Sequence, residues 1–147
     1  RYAASVVRAV AARFGSVPHL MAEPGRGLVA EAGHIAAEVL LVSRKSADDL
    51  HRWVYLDIGR FSGLAETEGE AIRYQLTTPH DGEETGPCVL AGPSCDSVDI
   101  LYEKRPVQLP VSLRDGDKVM IRCCGAYTSS YSSVGFNGFP PLDVIVL

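Results

Sequence analysis

Short runs of β-forming residues, separated by turn sequences at regular intervals, constrain the fold of this 147-residue chain most strongly. The first run, residues 35–41, alternates apolar with more mixed positions, and residues 53–56 form a second run. Several short strands at such spacing are typical of an antiparallel sandwich or barrel. We predict further strands at residues 71–77, 88–91, 107–109, 118–123 and 142–147.

The first 32 residues have a different pattern. Residues 2–14 carry apolar side chains at helical spacing, and the short apolar run at residues 19–22 predicts a buried strand of a parallel sheet. A helix, a buried strand and a polar glycine-rich turn make one unit of an α/β barrel. We therefore predict an α+β, mainly β fold: the last unit of a TIM-like α/β barrel at residues 1–32, followed by an antiparallel β-sandwich or barrel domain at residues 33–147.

Composition and charge exclude several classes of function. The net charge is −4 and the basic residues are scattered, so a nucleic-acid surface is not expected. No apolar run approaches the roughly 18 residues that span a bilayer, and no signal pattern is present, so we expect no membrane partner. Because the chain opens Arg1-Tyr2-Ala3 inside a predicted helix, without methionine, we expect it to be part of a longer polypeptide.

The four cysteines indicate neither a metal site nor a disulfide framework. They lack C-x-x-C spacing and have no histidines at metal-ligand spacing. Reduced thiols in a cytoplasmic protein are the expectation that follows.

The segment Glu23-Pro24-Gly25-Arg26 follows the predicted barrel strand. Glycine lets a backbone approach an anion closely, and arginine can grip a phosphate with two parallel hydrogen bonds. A tetrapeptide of this kind is also a common turn, so on its own it leaves an anion site and a plain turn both open.

Two further segments carry candidate functional groups. In Gly92-Pro93-Ser94-Cys95-Asp96 a thiol and a carboxylate follow a rigid turn, and a thiol with an ordinary pKa of about 8.5 can be tuned to act as nucleophile or proton donor. No Cys–His–Asn arrangement is evident, which counts against a protease, while a buried structural cysteine remains the alternative. In Gly125-Ala126-Tyr127-Thr128 the tyrosine hydroxyl can donate to an anion, and Phe136-Asn137-Gly138-Phe139 follows.

These motifs, in this order, resemble the fold-type III pyridoxal-phosphate decarboxylases, and among them the ornithine decarboxylases. The resemblance runs from Glu23 to Phe139 and so covers most of the chain. It implies an alanine-racemase-like enzyme with pyridoxal 5'-phosphate in an eight-stranded α/β barrel, a following β domain, and active sites at a homodimer interface. The expected partners are a basic amino acid, the N-terminal barrel portion of the same protein, and a second subunit.

The resemblance also implies roles for four residues around the cofactor. Glu23 matches the carboxylate that keeps the pyridine nitrogen protonated, which makes the ring an electron sink. Gly25 and Arg26 match the phosphate-binding segment, where the guanidinium offers fork geometry. Tyr127 matches a tyrosine whose hydroxyl contacts the same phosphate.

Three residues are implied to act on the substrate. Cys95 matches the thiol that helps deliver a proton after carbon dioxide leaves, Asp96 matches the carboxylate that pairs with the distal ammonium, and Phe136 matches an aromatic lining the pocket. Two positions depart from animal-type relatives. Phe61 stands where they have tyrosine, and Gln75 stands where they have a second aspartate for the distal amine, which weakens the case for an ornithine-only pocket.

The cofactor lysine of the family is not found in this chain. The three lysines, Lys45, Lys104 and Lys118, stand in unmatched contexts, and the family carries this lysine on its first barrel strand. We therefore expect the isolated 147-residue chain to be inactive.

The main functional interpretation is a portion of an enzyme that decarboxylates L-ornithine to putrescine. The alternatives within this chemistry are lysine/ornithine and diaminopimelate decarboxylases, and Asp96 and Thr128 count against the diaminopimelate enzymes. An alternative of another class is a non-catalytic homologue that binds a regulatory protein, as antizyme inhibitors do.

Overall fold

The computed structural model describes residues 2–16 and 19–147. In that part of the chain a curled sheet of seven strands follows two helices. The helices are α1 (Tyr2–Arg13) and α2 (Arg26–Val29); the strands are β1 (Ile35–Ser43), β2 (Arg52–Leu56), β3 (Gln75–Thr77), β4 (Thr85–Ala91), β5 (Ile100–Leu101), β6 (Val107–Pro110) and β7 (Lys118–Arg122). Short 3-10 segments lie at Ala30–Ala32, Arg60–Ser62, Ala65–Glu70, Ser129–Tyr131 and Phe136–Gly138.

The strands lie in the order β3-β7-β1-β2-β4-β5, and β6 pairs with the other part of β4. All pairs are antiparallel except β2 and β4, which run parallel with Trp53 opposite Val89. The mainly β prediction is confirmed, and the parallel pair is the exception to the expected antiparallel arrangement. Parallel neighbours need a long crossover, and residues 57–84 between these two strands supply one.

Strand β1 bends and is shared by both halves of the sheet. Ile35–Glu38 pair with β7, whereas Val39 and residues 41–43 pair with β2, and the register shifts between Val39 and Leu41. Such an irregularity bends a strand and increases its twist. The sheet therefore curls around one core instead of lying flat.

The core fills the inside of this curl. Ile35, Ala37 and Val39 of β1 are buried, which confirms the predicted alternation up to Val39, whereas Leu41 is exposed. The other side chains with less than 2% exposure come from facing strands: Val54, Leu56, Cys88, Leu101, Val119 and Ile121. Burying one such aliphatic side chain contributes roughly 1.5–3 kcal/mol, so this cluster is the main stabilising feature of the sheet.

Two strand predictions are wrong in the described structure, and a third, at residues 71–77, holds only for Gln75–Thr77. Residues 19–22 form no strand and are exposed, as the 91% exposure of Met21 shows. A parallel strand needs hydrogen-bonding neighbours, and no described residue pairs with this segment. Residues 142–147 likewise form no strand, and residues 71–74 lie outside β3.

The change of sequence pattern near residue 33 coincides with the start of the sheet. Helix α1 has no buried residue, and Val6 and Val7 on it are more than half exposed. None of the described helices is long and apolar enough to cross a membrane. The division into a barrel portion and a β domain stays a prediction.

Candidate active site

Two glycines dock the segment that carries Arg26 onto the sheet. The backbone N–H of Gly125 donates to the carbonyl of Ala30 at 2.9 Å, and the N–H of Cys124 donates to the carbonyl of Gly33 at 2.7 Å. A Cβ on Gly125 would lie 1.7 Å from the carbonyl oxygen of Val29, and a Cβ on Gly33 would lie 2.5 Å from Gly125. Only glycine permits this backbone contact, which places the short helix α2 beside the turn after β7.

This junction brings Tyr127 next to Gly25 and Arg26, which lie about a hundred residues earlier in the sequence. The guanidinium carbon of Arg26 lies 5.5 Å from the centroid of the Tyr127 ring. A Cβ on Gly25 would lie 2.9 Å from the Tyr127 hydroxyl. The structure therefore brings together three of the four residues predicted to contact the cofactor.

Two residues that the sequence did not indicate complete this group. Arg26 Nη2 donates to a carboxylate oxygen of Glu66, and each of the two side chains is a little over one-quarter exposed. The other terminal nitrogen, Arg26 Nη1, and the Tyr74 hydroxyl are buried, and no partner meeting the geometry of a hydrogen bond is found for either among the described residues. We call Gly25, Arg26, Glu66, Tyr74 and Tyr127 the Arg26 corner.

The electrostatics of the Arg26 corner keep the guanidinium charged and the phenol neutral. Burial acts to lower the pKa of Arg26, but Glu66 and Tyr74 outweigh it and raise that pKa above its ordinary value. Burial raises the pKa of Tyr74, although Arg26 opposes it. The corner thus presents a permanent cation next to two phenolic hydroxyls, a donor set suited to an anion.

Glu23 is not gathered into the Arg26 corner. It lies on the exposed stretch before Gly25, and no hydrogen bond or ion pair is recorded for it with any residue that the structure describes. Its predicted partner, a pyridine nitrogen, is not supplied by the chain itself.

The second group of candidate residues lies on the turn formed by residues 92–99, here called the Cys95 turn, which follows β4. Its organising residue is Asp99, which is 2% exposed. The Asp99 carboxylate accepts hydrogen bonds from Ser94 Oγ at 2.6 Å, from Ser94 N at 3.2 Å and from Arg60 N at 2.7 Å. A Cβ on Gly59 or Gly92 would lie within 2.3 Å of that carboxylate, so both glycines let the backbone close around it.

Cys95 stands exposed on this turn in a strained backbone conformation, with φ of 59°. The carboxylate of its neighbour Asp96 accepts the Val98 N–H at 2.9 Å and so is held by the turn itself. The alternative of a buried structural cysteine fits Cys88 and Cys124 instead, where burial raises the thiol pKa, to about 12 for Cys124. All four cysteines are free.

Phe136 is attached to the Cys95 turn through its neighbour. Asn137 Nδ2 donates to the carbonyl of Ser94 at 2.8 Å, and the Phe136 ring stacks on Phe61 with centroids 4.1 Å apart. Phe61 and Phe136 line a small cleft together with Ser94 and Asp99. The structure therefore joins the segments of Cys95, Asp96 and Phe136, while no recorded hydrogen bond links the Cys95 turn to the Arg26 corner in the described chain.

The sheet has a counterpart in a known protein family. Residues 3–125 match the family model "Pyridoxal-dependent decarboxylase, C-terminal sheet domain". The chain belongs to this family.

Relatives of this decarboxylase domain are named as decarboxylases of several different amino acids. The chain is 37% identical over 131 residues to a diaminopimelate decarboxylase of Helicobacter pylori, covering 87% of the chain and 30% of that protein. It is 30% identical over 139 residues to a probable ornithine decarboxylase of Dictyostelium discoideum, covering 85% and 29%. A lysine/ornithine decarboxylase of Vibrio vulnificus, solved with cadaverine, superposes with a TM-score of 0.79 at 36% identity, covering 99% of the chain and 38% of that structure.

The decarboxylase domain thus spans about a third of the length of the relatives it matches. The predicted family and its pyridoxal-phosphate dependence are confirmed, whereas diaminopimelate and lysine enzymes stand beside ornithine enzymes among the relatives.

The residues of this decarboxylase domain fit one part of the cofactor. A phosphate group would suit the cation of Arg26 and the Tyr127 hydroxyl as donors. Gly25, which has no side chain, lets the backbone approach them closely. Two of the lysines are engaged elsewhere: Lys118 pairs with Glu38, and the Lys45 ammonium lies 3.3 Å from the centroid of the Trp53 ring. No cluster of side chains that could hold a metal ion occurs in residues 2–16 and 19–147.

Proposed function

We propose that the complete protein is a pyridoxal-phosphate-dependent decarboxylase of a basic amino acid, with L-ornithine as the main substrate and putrescine as the product. The observation that carries the proposal is the meeting of Gly25, Arg26 and Tyr127 at one corner of the sheet. A cation and a hydroxyl next to a glycine backbone are the groups that suit a phosphate ligand.

The Arg26 corner would hold the cofactor by its phosphate. Arg26 supplies charge and Tyr127 a hydroxyl, while Glu23, which is exposed and unpaired in the described chain, is free to meet the pyridine nitrogen. When bound, pyridoxal phosphate supplies an electron sink for the carbanion that carbon-dioxide loss leaves. The lysine that anchors the cofactor would come from the N-terminal barrel portion.

The Cys95 turn would act on the substrate. Cys95 holds the proton that returns to the α-carbon, and its exposure gives it access to a ligand. Asp96 pairs with the distal ammonium, and Phe136 packs against the alkyl chain. Because the Cys95 thiol is exposed on its own chain, we propose a homodimer in which this turn completes the partner's site, in a cytoplasmic enzyme.

The charges near the Cys95 turn favour ornithine or lysine over diaminopimelate. Diaminopimelate carries a second carboxylate, which Asp96 would repel and which needs a cation. Arg60 is the cation held at this turn, but its guanidinium is taken by the carbonyl of Val98 and by Glu68 at 3.3 Å. Lysine differs from ornithine by one methylene, and a pocket discriminates one methylene by only about 10- to 200-fold, so use of both amino acids is expected.

The test is steady-state kinetics of the full-length protein with ornithine, lysine and meso-diaminopimelate. We expect kcat/KM to fall in that order, and Asp96→Asn to lower it for ornithine while leaving cofactor affinity unchanged. Asp48→Asn, at an exposed aspartate in the β1–β2 loop, is the matched control. Preference for diaminopimelate would overturn the substrate assignment, and cofactor binding without decarboxylation of any of the three would favour the non-catalytic homologue.

A further inference from the structure

Glu66 occupies a position in the Arg26 corner that the phosphate role of Arg26 does not explain. It takes one of the two terminal nitrogens of the guanidinium, while the other is buried, and Tyr74 also acts to raise the pKa of Arg26. The centroid of the Tyr127 ring lies 5.5 Å from the guanidinium carbon of Arg26. The guanidinium is thus held on several sides before any ligand arrives.

The segment that carries Glu66 is itself firmly attached. Thr67, next in sequence, is buried and donates its hydroxyl to the carbonyl of Leu64 at 2.6 Å. At the other end of the segment Glu70 is buried and accepts hydrogen bonds from the N–H groups of Lys104 and Arg105, at 2.7 and 3.0 Å. Glu66 is therefore a fixed carboxylate, unlike Glu68 of the same segment, whose side chain is 82% exposed.

We propose that Glu66 is a positioning residue for the phosphate site, acting through Arg26. An arginine side chain has many rotamers, and holding one of them in advance lowers the entropy lost when a ligand binds. Glu66 holds the guanidinium near the Tyr127 ring, on the segment where Gly25 closely approaches the Tyr127 hydroxyl. This inference rests on the proposed function, because it needs a phosphate ligand at the corner.

A competing role for Glu66 would have the opposite consequence. If the carboxylate blocked Arg26 and had to be displaced by the phosphate, removing its charge would tighten cofactor binding. Positioning predicts weaker cofactor binding, because without Glu66 the guanidinium of Arg26 loses its hydrogen bond and is expected to turn toward solvent. The sign of the change in affinity therefore separates the two roles.

The experiment compares two ligands that differ only in the phosphate. Full-length apo-protein is titrated with pyridoxal 5'-phosphate and with pyridoxal, and binding is followed by absorbance. We expect Glu66→Gln to raise the Kd for pyridoxal 5'-phosphate roughly tenfold, the loss of one charge-assisted contact, and to leave the Kd for pyridoxal unchanged. The same change in an Arg26→Ala background should have no further effect, and Glu68→Gln is the matched control.

Other outcomes overturn the inference. An unchanged or lower Kd for pyridoxal 5'-phosphate in Glu66→Gln shows that Glu66 does not position Arg26, and equal weakening of both ligands shows a general structural role. Failure of the wild-type protein to bind pyridoxal 5'-phosphate refutes the proposed function and the inference with it. If Glu66→Gln does not fold, Glu66→Asp, which keeps the charge but shortens the reach to Arg26, is the second variant and should weaken only the phosphorylated ligand.

Discussion

The Arg26 corner and the Cys95 turn are built in different ways. In the Arg26 corner, side chains from distant segments meet one another, with Glu66 and Tyr127 both contacting Arg26. In the Cys95 turn, the backbone folds around the single buried carboxylate of Asp99, and Cys95 projects from it into the open. The first arrangement fixes a charged group, and the second fixes the shape of a loop.

This difference bears on what each region needs from outside the chain. The cation of the Arg26 corner already has a counter-ion, so a ligand finds it oriented and partly neutralised. The Cys95 turn is closed by internal hydrogen bonds, yet its thiol is exposed in the described structure. A rigid turn that presents an exposed thiol is the physical basis for proposing that a second subunit packs there.

The largest expected effect comes from removing the centre of the Cys95 turn. Asp99→Ala leaves the donors of Ser94 and Arg60 unpaired and opens space between Gly59 and Gly92, so it should cost about 3–4 kcal/mol of stability. Urea denaturation of the full-length protein measures this, with Asp48→Ala as the exposed control. A loss below about 1 kcal/mol would show that the turn does not depend on Asp99.

The second effect concerns the Arg26 corner alone. Arg26→Ala should weaken cofactor binding by about 2–3 kcal/mol, roughly 30- to 150-fold in Kd, while the stability of the sheet changes little. Arg114→Ala, at a 79% exposed arginine in the turn before β7, is the control. If cofactor titration gave the wild-type Kd for Arg26→Ala, Arg26 would be an ordinary turn residue.

The sequence predicted the sheet better than its connections. Alternation over residues 35–41 identified β1, because one of its faces is buried from Ile35 to Val39, before the register shift. The parallel pairing of β2 and β4 depends on a crossover through residues 57–84, and strand spacing alone carries no sign of it. The apolar run at residues 19–22 resembled a buried strand, but burial depends on neighbours that the described chain does not provide.

In both the Arg26 corner and the Cys95 turn, the sequence predicted some residues and missed others. Arg26, Tyr127, Cys95 and Asp96 lie in short motifs, so the motifs identified them as candidates. Glu66 sits among other acidic residues with nothing local to distinguish it, and its pairing with Arg26 arises only from the tertiary fold. Asp99 had an indirect signal in the glycines at positions 59 and 92, whose shared purpose becomes visible only when the two loops meet around it.

The open side of the Cys95 turn suggests a mixing experiment on the full-length protein. One variant lacks the family's cofactor lysine in the barrel portion, and the other carries Cys95→Ala, so each homodimer should be nearly inactive. After equal mixing and exchange, half of the dimers are heterodimers with one intact site in two, and about a quarter of wild-type activity should return. Exchange shown by a size-tagged subunit, without any return of activity, would mean that Cys95 serves its own subunit.

The smallest expected effect is the loss of stability in acid at Glu70, next to the Arg26 corner. Glu70 anchors the segment that carries Glu66, and it accepts hydrogen bonds from Arg105 and Arg73 at 3.0 and 2.9 Å. Burial acts to raise the pKa of Glu70, but the hydrogen bonds from Arg105 and Lys104 outweigh it and hold the pKa below its ordinary value of 4.5. Folding therefore favours the ionised form.

A carboxyl group whose pKa is lowered on folding stabilises the protein above its unfolded pKa and loses that contribution as the pH falls. The stabilisation from Glu70 should be complete at neutral pH and disappear as the pH falls below about 4.5. Glu70→Gln should therefore be less stable than wild type at pH 7, and the difference should narrow in acid, whereas Glu68→Gln should follow wild type throughout. Denaturation midpoints from pH 7 to about pH 3 measure this, and a constant difference between Glu70→Gln and wild type would mean that the charge of Glu70 does not hold the Arg26 corner in place.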